Sequence, residues 1–228
     1  MRRSFAGIFV GAVFAAAAAF MVSGCSETAS STSAAGLARP DHTQYRYTGE
    51  VYLLRGLANV FSTGLDVMND KFHARGVNSK VDNHAVWRNW ADDIIARDKA
   101  GKVSYPIIIM GHSLGANATM EMARYLGDRG IHVSYAVSFD PTITGEPGAN
   151  VDEAINFYLP NGKKGKDANI IVEGTGFTGK LYNVDVSGVE GMNHFNIEKN
   201  PELQVKVMTK TMGLLGTSVP PTKPGDNR

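Results

Sequence analysis

Cysteine occurs once in the 228 residues, at Cys25, and that scarcity limits what can hold the fold together. No intrachain disulfide is available, so stability has to come from an apolar core alone. An excess of either charge is also missing. Lys and Arg number 23 against 22 Asp and Glu, a formal +1 that becomes −1 without Arg2 and Arg3. So balanced a chain has no basic field to draw in a polyanion, and no nucleic-acid partner is expected. The 6 histidines are scattered rather than paired at ligand spacing, and H-E-x-x-H does not occur, so no metal is expected. Neither a G-x-G-x-x-G fingerprint nor a phosphate-binding loop is present, and no cofactor is expected. There is no internal repeat.

What is there begins with Arg2-Arg3, an uncharged run from Phe5 to Val22, and then Val22-Ser23-Gly24-Cys25. A basic start, an apolar stretch and a small-residue exit form the pattern of a secretory signal. The last four residues resemble a bacterial lipobox. That resemblance implies a signal peptide at 1–24, cleavage before Cys25, and membrane anchoring through the acylated Cys25 in the cell envelope, facing the periplasm. Ser26 stands where inner-membrane retention would favour Asp, which by the same resemblance points to the outer membrane. An uncleaved anchor helix and an ordinary secretory signal are the alternatives, because the apolar run is long for a signal. Residues 25–44, rich in Ser, Thr, Ala and Gly, read as a flexible tether. Residues 45–216 read as one α/β domain, and the proline-containing segment 217–228 as a disordered tail.

Within the domain, apolar runs alternate with helical spacing. Val51–Arg55 reads as a buried strand ending at Gly56. Ser62 or Thr63 caps a helix with Leu65, Met68 and Phe72 on one stripe. After an extended piece at Ser79–Val81, Asn83 caps a second helix with Trp87, Trp90, Ala91, Ile94 and Ile95 inward. Tryptophans three apart on a helix are read as core rather than as a substrate box. Further strands are expected at Pro106–Met110, His132–Phe139, Ala154–Leu159 and Lys180–Ser187, and a last helix from Pro201 with Leu203, Val207, Met208 and Leu215 buried. The glycine- and lysine-rich segment 161–179 reads as a loop with room for one strand at Ile170–Val172. Such alternation implies right-handed crossovers and a mostly parallel sheet with helices on both faces.

The most informative stretch is Ile107-Ile108-Ile109-Met110-Gly111-His112-Ser113-Leu114-Gly115. A β-branched strand breaks into G-x-S-x-G and then into a helix spaced by Leu114, Ala118, Met122 and Leu126. Strand, sharp turn and helix in that order push a serine hydroxyl out above a sheet, and Gly111 and Gly115 let the turn tighten. These residues resemble the nucleophile elbow of the α/β-hydrolase family, in the G-H-S-L-G form frequent among lipases, esterases and thioesterases. The resemblance can be followed from about Val51 to about Leu215 and implies an α/β-hydrolase fold; only a short connection joins Asp140 to the next strand, so no large cap domain is expected there.

A serine needs a base, and the base needs an orienting acid. Ser113, Asp140 and His194 lie after strands in the order Ser, acid, His that the resemblance implies. His194, in Gly191-Met192-Asn193-His194-Phe195-Asn196-Ile197 between the last strand and the last helix, sits where the family places its base. His112 adjoins the nucleophile with its side chain on the wrong side of the turn. His73 and His132 belong to a helix and a strand, and His42 and His84 precede the serine. Asp140 resembles the strand-end Asp-Pro of lipases and thioesterases that take their acid from the strand after the elbow helix; the family's commoner position, one strand later, holds no strand-end carboxylate here. Asp140 is the first candidate acid and Asp185 the second. Two backbone N–H donors should face the oxyanion: that of Leu114 and, from the loop after the first strand, that of Leu57, with Ala58 as its alternative. Arg55 departs from the His-Gly many family members carry there. Asn59 and Phe61 fit an acyl pocket or plain loop packing equally well.

The implied function is a membrane-anchored serine hydrolase that cleaves a small-molecule or lipid ester or thioester through an acyl-enzyme. A non-catalytic envelope lipoprotein that uses the same shell for binding, and an acyltransferase, are the alternatives. Composition and spacing do not decide acyl-chain length or oligomeric state.

Overall fold

A computed structural model describes residues 45–57, 62–162 and 168–216. The expected signal peptide, the lipidation site Cys25, the tether to residue 44 and the tail from 217 lie outside the described residues. The element order is β1 (Glu50–Arg55), α1 (Thr63–His73), β2 (Asn78–Asn83), α2 (Trp87–Lys99), β3 (Ile107–His112), α3 (Leu114–Gly127), β4 (Tyr135–Phe139), β5 (Glu153–Tyr158), β6 (Lys180–Asp185) and α4 (Pro201–Leu214).

The six strands form one sheet in the order β2-β1-β3-β4-β5-β6, and every pairing is parallel. A parallel sheet covered on both faces needs continuous apolar strands at its centre. Val51 to Leu54 and Ile107 to Met110 supply them and are fully buried. The two edges carry polar and charged side chains, half-buried along Asn78–Asn83 and mostly exposed along Lys180–Asp185, which blunts them against pairing with another chain.

Alternate side chains along each strand feed two cores. Val51, Leu53, Ile108, Met110 and Val137 pack with Leu65, Met68 and Phe72 of α1 and Val207 and Met208 of α4. Tyr52, Leu54, Ile107, Ile109 and Ala136 pack on the other face with Trp90, Ala91 and Ile94 of α2 and Ala118, Met122 and Leu126 of α3. This is the expected α/β layering, and the 140–152 connection from β4 to β5 leaves no room for a cap domain. Among the described residues no helix is long and apolar enough to cross a membrane.

Local details depart from the expectations where a side chain finds a distant partner. Ser62 precedes α1 but does not cap it; its hydroxyl accepts from the Gly56 amide instead. Asn83 caps a 3-10 turn, His84–Val86, that leads into α2, so the helix proper starts at Trp87. Trp90 is buried, its ring 5.6 Å from that of Tyr52, whereas Trp87 is half-buried against Tyr125. The strand expected from His132 begins at Tyr135. Ile170–Val172 forms no strand; Ile171 makes a single bridge to Gly145. Asn200 does cap α4, accepting from Glu202 and Leu203, with Pro201 at its first turn.

Topology selects one place for chemistry. From β1 the chain moves out to β2, then crosses back to β3 on the other side of β1 and continues away. The crevice outside the carboxyl ends of β1 and β3 is therefore the switch point where an open α/β sheet gathers functional groups.

Candidate active site

Ser113 sits on the turn from β3 into α3 with φ 58° and ψ −122°. A non-glycine residue in that region is held against its own preference, and the surroundings enforce it. A Cβ at Gly115 would lie 1.8 Å from the Leu54 carbonyl oxygen, and one at Gly111 would lie 2.1 Å from the Gly115 oxygen. The first turn of α3 therefore rests directly on the backbone of β1 and β3. The Ser113 amide donates to the Phe139 carbonyl at 3.0 Å, pinning the elbow to the end of β4.

Asp140 follows β4, also with positive φ, 48°, and its amide donates to the Phe157 carbonyl at 2.8 Å. Its Oδ2 lies 2.6 Å from His194 Nδ1. Its Oδ1 accepts from the Leu159 amide at 3.1 Å and from Asn169 Nδ2 at 2.7 Å. Burial by itself favours the neutral acid. The hydrogen bonds from His194, Leu159 and Asn169 outweigh it and hold the carboxyl below its ordinary value. Asp140 is therefore an ionised acceptor at neutral pH.

His194 completes the array, with Nε2 3.0 Å from Ser113 Oγ. A carboxylate only accepts, so Nδ1 carries the proton and Nε2 is left to accept the Ser113 hydroxyl. The loop that presents it is built from its own asparagines. Asn196 Oδ1 accepts from the Asn193 amide, Asn193 Oδ1 accepts from the Phe195 amide, and Asn196 Nδ2 donates to Gly191 O. Ile197, fully buried, anchors the loop in the core.

The structure thus brings Ser113, Asp140 and His194 together and leaves Asp185 apart. Asp185 is exposed at the end of β6, where its carboxylate accepts from the Ser187 amide. Leu114 opens α3, so its amide is one of the helix's unpaired first-turn donors. Gly56 lies against Ser113: a Cβ there would meet Ser113 Cβ at 3.0 Å. The Gly56 amide is taken by Ser62, and Leu57, the next residue, carries an exposed side chain. Ala58, Asn59 and Phe61 lie outside the described residues. Arg55 is engaged with Asp66 of α1 at 3.2 Å and Asp82 of β2 at 3.9 Å, bracing the end of β1.

Three contributors were not legible in the sequence. Asn169, 2% exposed, supports Asp140 from within the segment with the weakest sequence pattern. It is set by Asn156, whose Nδ2 donates to Asn169 O and Asn183 Oδ1. His112, 1% exposed, joins Ser62 Oγ through Nδ1 at 2.8 Å and the His194 carbonyl through Nε2 at 2.7 Å. Burial, reinforced by His194, lowers its pKa to about 4, so it is neutral at pH 7. Glu198, fully buried, has Oε2 3.8 Å from His112 Nε2, and burial pushes its carboxyl up to about 7. A conspicuous polar residue beside the elbow was the one available signal for any of them. Among the described residues no group of three or more His, Cys, Asp or Glu could hold a metal ion.

No protein-family model matches the chain, and no curated protein matches it in sequence. Solved structures with a similar chain trace include a putative hydrolase of the alpha/beta superfamily from Xanthomonas campestris pv. campestris, 10% identical over 72% of this chain and 98% of that one, with a TM-score of 0.43. The NocB thioesterase domain from a nocardicin cluster is 10% identical over 73% and 95%, with a TM-score of 0.44. Est1E from Butyrivibrio proteoclasticus is 11% identical over 74% and 90%, with a TM-score of 0.46.

Proposed function

We propose that this chain is a serine hydrolase that cleaves carboxylic ester or thioester bonds through an acyl-enzyme, with Ser113 as nucleophile, His194 as general base and acid, and Asp140 as the orienting carboxylate. The observation that carries the reading is the unbroken line from Asp140 Oδ2 to His194 Nδ1 at 2.6 Å and from His194 Nε2 to Ser113 Oγ at 3.0 Å. Both separations lie within proton-transfer reach.

The steps follow from those positions. The substrate carbonyl enters the crevice above Ser113, and Oγ attacks its carbon as His194 Nε2 takes the hydroxyl proton. The imidazolium formed is stabilised by ionised Asp140, which stays unprotonated. The amides of Leu57 and Leu114 receive the oxyanion. When the tetrahedral intermediate collapses, the C–O or C–S bond to the leaving group breaks and His194 gives that group its proton. Water, deprotonated by the same nitrogen, then attacks the acyl-enzyme and releases the acid and free Ser113.

Arg55 is occupied with Asp66 and Asp82, so its departure from the His-Gly pattern is accounted for by bracing the end of β1 and does not by itself favour a purely binding role. A fluorophosphonate probe is expected to label wild-type Ser113 and to leave Ser113→Ala unlabelled; an unlabelled wild type overturns the reading. Hydrolysis of p-nitrophenyl esters of increasing chain length, alongside one thioester, assigns the substrate class. We further propose anchoring at a bacterial envelope membrane through acylated Cys25. Cys25→Ser should move the protein out of the membrane fraction, and unchanged retention rejects the lipid anchor.

A further inference from the structure

We propose that His112 is a positioning residue for this reaction, tying the oxyanion loop to the base loop through one chain of hydrogen bonds. The proposal rests on the serine hydrolase reading. The chain runs from the Gly56 amide to Ser62 Oγ at 2.9 Å, from the Ser62 hydroxyl to His112 Nδ1 at 2.8 Å, and from His112 Nε2–H to the His194 carbonyl at 2.7 Å. Every donor meets one acceptor in a single tautomer. The His194 carbonyl only accepts, so Nε2 holds the ring proton; Nδ1 then accepts from Ser62, leaving the Ser62 oxygen to accept from Gly56.

Its place makes this more than local packing. His112 is the last residue of β3 and adjoins the nucleophile. Its ring packs 4.9 Å from that of His194, and both His112 and Ser62 are 1% exposed. On one side the chain ends at Gly56, directly before the Leu57 amide and in contact range of Ser113 Cβ. On the other it ends at the backbone of the base. Acyl transfer requires the oxyanion donors and the imidazole to address one carbonyl group together, and these two loops are 138 positions apart along the chain, from residue 56 to residue 194. His112 joins Ser62 directly to the His194 backbone. A buried partner removed from either end leaves a carbonyl or hydroxyl unsatisfied, so the loops shift to recover it.

The test is steady-state kinetics on a p-nitrophenyl ester with the full chain, together with amide hydrogen exchange. Displacing reacting groups by about 1 Å costs on the order of 100-fold in rate. His112→Ala and Ser62→Ala are each expected to lower kcat by roughly that factor, with KM within about threefold of wild type. Because they interrupt the same chain, the double variant should be no more than about threefold slower than the slower single one. His112→Gln, whose side-chain amide nitrogen can donate to the His194 carbonyl, should recover at least tenfold of the loss in His112→Ala, roughly half the effect on a logarithmic scale. Exchange at Gly56, measured against Ile109 in the core strand, should speed up in His112→Ala although the two residues share no direct bond.

Folded single variants with wild-type kcat, or losses that multiply in the double variant, overturn the proposal, as does unchanged Gly56 exchange in His112→Ala. If His112→Ala does not fold, Ser62→Ala and His112→Gln decide the matter. If wild-type Ser113 resists the fluorophosphonate probe, the hydrolase reading fails and takes the positioning role with it, while Gly56 exchange still reports whether the chain of bonds is present.

Discussion

Asp140 shows how a buried carboxylate is kept charged. Its two oxygens divide the work: Oδ2 is given to His194, and Oδ1 is satisfied by Leu159 and Asn169. Replacing Asp140 by Asn preserves the shape but permits the wrong imidazole tautomer, and kcat is expected to fall about 10⁴-fold, as in serine proteases; a loss below tenfold would remove Asp140 from the machinery. Asn169→Ala deprives the charge of a buried donor and should cost roughly 2 kcal/mol by urea unfolding at pH 7. The sign of its pH dependence follows from the lowered pKa of Asp140. That pairing stabilises the fold above the ordinary carboxylate value and is lost as pH falls through the folded one, so the gap between wild type and Asn169→Ala should narrow in acid.

Between β1, β3 and α3 the controlling quantity is distance between backbones. Gly115 lets the first turn of α3 touch the Leu54 carbonyl, and Gly111 lets the Gly115 carbonyl approach β3. That contact fixes the start of α3 at Leu114, directly after Ser113, and holds Ser113 at φ 58° and ψ −122°. Gly115→Ala inserts a methyl group 1.8 Å from a carbonyl oxygen that neighbouring strands hold in place. α3 has to lift, and the melting temperature should drop by roughly 5–10 °C, the effect of a few kcal/mol of overpacking in a domain of this size. An unchanged melting temperature would mean that the elbow is looser than drawn. Gly130 and Gly101, which have nothing within 4 Å of an added Cβ, serve as controls for crowding, though their positive φ carries its own backbone cost.

At the scale of the whole molecule, two buried titratable groups near His194 make opposing contributions to stability across pH. Glu198 is raised from 4.5 to about 7 by burial. Between those values the folded state binds the extra proton, so stability declines as pH rises through the window. His112 is lowered from 6.5 to about 4, so the unfolded state binds the extra proton there and stability declines as pH falls. The slopes oppose each other from about 4.5 to 6.5, and the wild-type contribution from this pair should be nearly flat. Glu198→Gln should expose the acid-side loss of His112, and His112→Gln the rising-pH loss of Glu198, each on the order of 3 kcal/mol in denaturant titrations across pH. Parallel curves for wild type and Glu198→Gln would refute the assignment. Much of the architecture was legible beforehand because it is periodic and local. The β-branched runs at 51–54 and 107–110 declare buried parallel strands, helical spacing declares α1 through α4, and G-H-S-L-G between a strand and a helix declares an elbow. What the linear chain could not choose was partnership among polar groups. Asn169 beneath Asp140, Arg55 turned to Asp66 and Asp82, and His112 joining two loops all depend on where distant segments arrive after the core has formed. Apolar burial responds to neighbours three or four residues away, whereas a hydrogen bond requires two atoms to meet within about 3 Å, and only the closed sheet brings them there.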